Sequence, residues 1–254
     1  MVKNKNKKMK NKITSYLAYS VSFIIFPLFF YAVPFRPGID DKIFLTATTF
    51  FFSILAGFFI SRQGNRYSAI RDKMTAFDGG MSYVFRCLGH FGKLAQKEGA
   101  AILKKYYSPI LKERMWDFPF THKTTTLTDL HALFEKLGNG KKNITPIQNT
   151  ALSQAMVALR ESQMIRKNIV ALKEERVPFA QWILMSFLGI LLIVTLSAIP
   201  SYGDLVVSLF KGAFAAITVF ILIILRQLDR LEFFEGVMGE NSANDVLNII
   251  KGER

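Results

Sequence analysis

The sequence predicts an all-α, polytopic membrane protein, with four transmembrane helices in two hairpins and a cytoplasmic helical region between the hairpins. Half of its 254 residues are apolar and 24 are Phe, a high load for a water-soluble domain. The apolar residues form four long stretches, three of them uncharged and the fourth with a single Lys. Each stretch has the ~20 residues with which a helix crosses a bilayer.

The segments follow in chain order. They are a basic N-terminus at 1–12, spans at 13–35 and 43–61, a helical region at 62–178, spans at 179–200 and 205–225, and a tail at 226–254. The first span follows six Lys, as a secretion signal would, but it is longer than the ~7–15 residues of a signal core and is expected to remain as an anchor. The second span is rich in Thr and Ser, so a re-entrant or pore-facing helix is an alternative for it.

The distribution of charge predicts the orientation. The net charge is +6 over 1–12 and +10 over 62–178, whereas the two short connections together carry −1. Lys and Arg near span ends stay on the cytoplasmic side. We therefore expect both termini and the middle region in the cytoplasm, the connections at 34–42 and 200–204 outside, and the protein in the cell (inner) membrane.

The middle region is expected to be helical. Apolar residues recur there at spacings of three and four, first between Met81 and Ala95 and again between Leu152 and Leu159. We expect long helices at about 62–115 and 145–178, and a short one near 127–137. A loop system holding Pro109, Pro119 and several Thr and Gly is expected between them.

Several classes of function are excluded by what the sequence lacks. A single cysteine, Cys87, forms no internal disulfide and no C-x-x-C site. His90, His122 and His131 have no metal-ligand spacing, no nucleotide-binding or nucleophile-elbow motif occurs, and the spans contain no His, Asp or Glu. We expect no enzyme, cofactor or metal. Nucleic-acid binding is not expected either, because topology already accounts for the scattered basic residues.

The second span carries two neighbouring stripes. One is small and weakly polar, and the other is apolar and repeats every four residues; they are Thr46, Thr49, Ser53, Gly57 and Ser61, then Phe50, Ile54 and Phe58. Small residues allow membrane helices to approach closely, so Ser53-x-x-x-Gly57 predicts a packing seam. Alternatively the span lines a pore, and the apolar stripe is a constriction that gates by excluding water.

The residues of this span resemble those of bestrophins. The segment 53–61, followed by Arg66-Tyr67 and Arg71, is similar to their second membrane helix, which runs into an Arg-rich turn. The C-terminal half resembles the bacterial and archaeal bestrophin-like domain family, through Arg160 and Arg166, then Pro178 and Trp182, and finally Leu228-Asp229-Arg230 and Phe234-Glu235-Gly236-Val237.

The resemblance implies a homopentameric anion channel whose second helix lines the pore. It implies that Phe50, Ile54 and Phe58 form the hydrophobic neck, and that inorganic anions, chloride among them, pass through it. Tyr67-Ser68 stands where bestrophins carry a Trp pair and no acidic calcium-binding run is recognisable, so calcium gating is not expected.

Charge allows two interpretations of the cytoplasmic region. Its basic residues, Arg62, Arg66, Arg71, Arg160 and Arg166 among them, would concentrate anions near an inner vestibule. The alternative is a membrane-anchored scaffold or sensor whose basic helices recruit a partner or anionic lipid, at roughly 1 kcal/mol per basic residue. Lys211, about two turns into the fourth span, is expected to snorkel outward.

We expect the expressed protein to sediment with membranes at high speed and to enter solution only with detergent. The reason is that lipid is the favourable solvent for four apolar stretches of spanning length. Recovery of the protein in the supernatant without detergent would contradict the predicted fold class.

Overall fold

The computed structural model describes residues 41–139, 144–198, 204–232 and 237–253, together with Ile25, Leu28 and Ala32. Within these ranges all regular elements are helices, which confirms the all-α prediction for this part of the chain. They are α1 (Asp41–Gly89), α2 (Lys93–Glu113), α3 (Phe118–Thr121), α4 (Thr126–Asn139), α5 (Pro146–Glu174), α6 (Phe179–Ala198), α7 (Leu205–Asp229) and α8 (Val237–Lys251).

Three helices are long and apolar enough to cross a membrane, judged by length and composition. They are α1, whose apolar part starts at Ile43, and the complete helices α6 and α7. The predicted first span, 13–35, lies outside the described residues apart from Ile25, Leu28 and Ala32, which are helical and exposed. Four spans in two hairpins therefore remain a prediction.

The predicted helix at 62–115 is wrong as a single element. The second span continues without interruption to Gly89, and the chain then turns before α2 begins at Lys93. Gly92 closes the turn with φ at 105°, a conformation that L side chains rarely adopt. Because Leu88 before the turn and Ala95 after it belong to the same core, the apolar repeat continues across the break and conceals it.

Two further expectations need correction. The sequence places Pro109 in a loop, but it lies inside α2. The sequence predicts no element in the tail at 226–254, yet this tail contains α8. The helices expected near 127–137 and at about 145–178 are close to α4 and α5, and α5 begins with a capping box in which Thr145 and Gln148 each accept from the other's backbone N–H.

The chain divides into two compact units, and α1 contributes to both. Of the described residues, 41–63, 177–198 and 204–229 form one, here called the apolar unit, and 64–139, 144–176, 230–232 and 237–253 form the other, here called the basic unit. In the apolar unit α6 and α7 pack against each other, and the Cα of Gly189 is so close to α7 that a Cβ there would lie 3.2 Å from Leu222. Leu196 and Ala215 share a second small cluster of the same pair.

The basic unit has the larger core. It is formed by the end of α1 together with α2, α4, α5 and α8, and Leu88, Leu103 and Leu130 are among its fully buried residues. Helix α8 is part of this core, since Ala243, Val246 and Leu247 are buried in it.

Replacement of Gly99 by Ala is expected to destabilise the basic unit, even though Ala is the better helix former. A Cβ at Gly99 would overlap Cδ1 of the fully buried Leu88, and overpacking of this kind costs about 1–3 kcal/mol. The matched control is Gly79→Ala in the same unit, where a Cβ meets no atom within 4 Å and helix propensity favours Ala by about 1 kcal/mol. Thermal unfolding followed by the fluorescence of buried Trp116 separates the two, and equal melting temperatures would contradict the expectation.

Candidate functional site

Within the apolar unit, α1 has a buried face and an exposed face. Phe52, Ala56 and Phe59 are buried, and they form a cluster with Met185, Leu192 and Leu225 of α6 and α7. The apolar stripe predicted from the sequence lies on the exposed side, where Phe50, Ile54 and Phe58 are 61%, 52% and 59% exposed. The three side chains predicted to form a neck are therefore outside the core that the described helices form.

The small-residue stripe shares the exposed side. Thr46, Ser53, Gly57 and Ser61 are exposed and Thr49 is half-buried. A Cβ built at Gly57 would meet no atom of the described residues within 4 Å, so Gly57 makes no close helix contact in this part of the chain. The close approach of helices in this unit occurs at Gly189 instead, where a Cβ would lie 3.7 Å from both Phe52 and Thr218.

A buried carboxylate holds the start of α6 to the end of α7. Asp229 Oδ1 accepts a hydrogen bond of 2.7 Å from the backbone N–H of Val177, and both residues are buried. Pro178 follows, and its carbonyl accepts from the N–H groups of Gln181 and Trp182 in the first turn of α6. Asp229 and Pro178, two residues through which the sequence resembles the family, therefore fix the point where the chain re-enters the apolar unit.

Arg66 is a structural residue of the basic unit. Its Nε and Nη2 donate to the carbonyls of Leu172 and Lys173, each at 2.6 Å, and only 5% of the residue is exposed. A cation at this place satisfies carbonyls of the last turn of α5 that have no partner inside the helix. Arg66 is therefore engaged with the backbone and not with solvent.

The other predicted basic residues have different surroundings. Arg62 is half-buried, Arg160 is exposed, and exposed Arg71 lies 3.6 Å from the carboxylate of Asp72. Arg166 Nη2 donates to the carbonyl of Pro119 at 3.3 Å. Arg71 and Arg160 are thus the members of this set that present charge to solvent most openly.

Lys211 does not reach solvent as expected from the sequence. It is 5% exposed and lies on the face of α7 that also buries Ser208, Gly212 and Ala215. The outward direction predicted for its side chain is wrong, because the face of α7 that carries it is buried in the unit. Ionisable residues within apolar helices usually have a partner or a function there.

Sequence reasoning missed a buried polar cluster in the basic unit. The carboxylate of Asp78 accepts a 2.6 Å hydrogen bond from the hydroxyl of Tyr107 and another from the hydroxyl of Ser242. Desolvation by burial raises the pKa of Asp78 to about 6. The sequence held one signal for this cluster, since Asp78 lies between Phe77 and Met81 on a stripe of buried apolar residues.

Comparison with known proteins gives one match. A family model described as a bestrophin-like domain matches residues 18–238, most of the chain, and that match includes both stripes of α1 and the stretch from Arg160 to Asp229. No curated protein and no solved structure matches the chain. Phe234-Glu235-Gly236, part of the resemblance seen in the sequence, lies outside the described residues.

We expect Phe52→Ala to lower the melting temperature of the detergent-solubilised protein and Phe50→Ala to leave it nearly unchanged. Phe52 is 4% exposed and contributes to the cluster of α1, α6 and α7, whereas Phe50 contacts little of its own chain. Truncation of a buried Phe removes packing worth about 3–5 kcal/mol in soluble cores. A melting curve of Phe50→Ala that shifts as far as that of Phe52→Ala would show that the two faces are not distinct.

Proposed function

We propose, from the premise that this chain belongs to the bestrophin-like family, that it forms an ion channel whose pore is lined by α1. The bestrophin family consists of anion channels, and the match spans residues 18–238. The observation that carries the proposal is the face of α1 that α6 and α7 leave exposed, because it combines small, weakly polar residues with a regular apolar stripe. Small hydroxyl side chains tolerate water, and stacked apolar rings restrict it.

The two stripes have complementary roles in this proposal. Phe50, Ile54 and Phe58 lie one turn apart, so copies of α1 around an axis would place three apolar rings in succession. Such rings are a constriction that gates by dewetting. Thr46 and Ser61, near the two ends of the apolar part, would keep the approaches to the constriction hydrated.

The pore requires several copies of the chain. One copy of α1 with one exposed face encloses nothing, whereas closed rotational symmetry brings the same face of every copy to the axis. We propose a homo-oligomer, with five copies as the family implies. A Cβ at Gly57 would meet no atom of the described residues, so the Ser53-x-x-x-Gly57 segment would then be available where neighbouring copies of α1 converge.

We propose that the permeant ions are inorganic anions such as chloride. The uncharged pore face offers no acidic ring that would attract cations, and the net charge of +10 over 62–178 would raise the local concentration of anions. The proposed protein lies in the inner membrane of the cell, with both termini and the basic unit in the cytoplasm. Exposed Arg71 and Arg160 would contribute most directly to the field.

One observation favours the alternative of a scaffold or sensor. Helix α5 exposes Ile147, Val157 and Met164, each more than half exposed, and apolar side chains on a basic surface suit a partner protein or lipid. Cross-linking in native membranes separates the proposals, since a closed ring of identical chains supports the channel and a monomer or a hetero-complex supports the scaffold.

We expect Phe58→Ala to increase chloride flux through purified protein reconstituted in liposomes. A smaller side chain widens and hydrates the constriction, and a barrier lowered by about 1.4 kcal/mol raises the flux about tenfold. Ile54→Ala and Phe50→Ala are expected to act in the same direction.

The matched control is Phe51→Ala. Phe51 neighbours the stripe and is equally exposed at 57%, but its side chain points about 100° away from Phe50 around the helix. It is expected to leave the flux unchanged. If none of the three stripe variants changes the flux of a conducting protein, the neck assignment fails; if the wild-type protein forms rings but conducts no anion, the channel proposal fails.

A further inference from the structure

Three helices of the basic unit meet at a single carboxylate. Asp78 of α1 accepts hydrogen bonds from Tyr107 of α2, at 2.6 Å, and from Ser242 of α8. These three residues are far apart in the sequence, so the carboxylate joins α8 to α1 and α2. Both bonds come from neutral hydroxyl groups, and neither compensates a negative charge as a cation would.

Among the described residues, the charged groups that act on Asp78 include no cation. From α8 the carboxylate of Asp245 faces it and disfavours its ionisation, and from α2 the phenols of Tyr106 and Tyr107 lie beside it. Arg166 of α5 acts on Tyr106 and is absent from the groups that influence Asp78. A buried carboxylate without a positive partner favours its neutral form.

Asp78 is half-buried, and its surroundings limit the contact of its carboxylate with water. Asp78 lines a narrow cleft between aromatic rings, and its walls are Met74, Phe77, Tyr106, Tyr107, Trp116 and Phe120 together with Ile110 and Ala243. The Tyr106 hydroxyl is buried there and has no hydrogen-bond partner among the described residues. The cleft therefore holds a polar group that is ready to accept or donate one further hydrogen bond.

We propose that Asp78 is a proton-binding site that couples the acidity of its surroundings to the docking of α8 on the basic unit. Helix α8 supplies both the hydroxyl of Ser242 and the like charge of Asp245, and it covers the cleft with Ala243. Undocking of α8 exposes Asp78 to water and removes Asp245, and each change makes the charged carboxylate more favourable. Docking and protonation therefore favour each other.

The direction of the effect follows from linkage. Burial raises the pKa of Asp78 from 3.8 to about 6 when α8 is docked. The docked state binds the proton more tightly than the undocked state. The resulting stabilisation of docking is fully present below a pH of 3.8 and is lost as the pH rises through about 6. Acidification from about pH 7 to about pH 5 is expected to tighten the docking of α8 about tenfold.

Hydrogen–deuterium exchange of the full-length protein in detergent measures this docking. After correction for the pH dependence of intrinsic exchange, the protection of peptides from α8 is expected to rise about tenfold between about pH 7 and about pH 5. In Asp78→Asn the protection is expected to be independent of pH. The matched control is Asp72→Asn, an exposed carboxylate on the same helix, which is expected to keep the wild-type profile.

Two variants on α8 test the site even if Asp78→Asn fails to fold. Asp245→Asn removes a like charge and is expected to move the midpoint of the profile to lower pH. Ser242→Ala removes a hydrogen bond that favours the charged carboxylate and is expected to move the midpoint to higher pH. A purely structural contact would not produce shifts of opposite sign.

Flat protection of wild-type α8 across this pH range would overturn the proposal, as would an unchanged midpoint in both α8 variants. The measurement does not depend on ion conduction, so its failure would leave the channel proposal intact, and a protein that conducts no anion would leave the proton site intact.

Discussion

The one-sided packing of α1 is the constraint on which the rest of the apolar unit depends. Helices α6 and α7 bury Phe52, Ala56 and Phe59 and leave Phe50, Ile54 and Phe58 of α1 exposed. In lipid, helices associate through close packing and not through expulsion of water from apolar surfaces. The positions of the packing residues therefore determine which face of α1 is exposed. That face combines small hydroxyl side chains with an apolar stripe, and these side chains would line any space that copies of α1 enclose.

Two buried side chains bind backbone groups, one in each unit. In the apolar unit Asp229 accepts from the N–H of Val177 just before α6, and in the basic unit Arg66 donates to the carbonyls of Leu172 and Lys173 at the end of α5. Both satisfy polar backbone groups, at or beside helix ends, that helical hydrogen bonds leave unpaired. Two residues of the family resemblance therefore have structural contacts in the described chain.

Local signals in the sequence predicted much of the fold. Long apolar stretches identified three helices that the structure shows, and Thr145 with Gln148 marks the start of α5. Periodicity identified the stripe of Phe50 without indicating which side of α1 is buried. It failed where the information is tertiary: the turn at Gly92 lies inside an unbroken apolar repeat, and no local pattern indicated the close helix approach at Gly189. The sequence does not single out Asp78, because its hydrogen-bond partners Tyr107 and Ser242 are distant from it in the chain.

The burial of Cys87 has a practical consequence for labelling. The single thiol of the chain is enclosed in the core of the basic unit, and desolvation raises its pKa, so little reactive thiolate is present at neutral pH. A cysteine introduced at an exposed site is therefore modified by maleimide reagents long before the native one. Spectroscopic probes can be attached to this protein without first removing its natural cysteine, and slow modification of Cys87 itself reports how often the core opens.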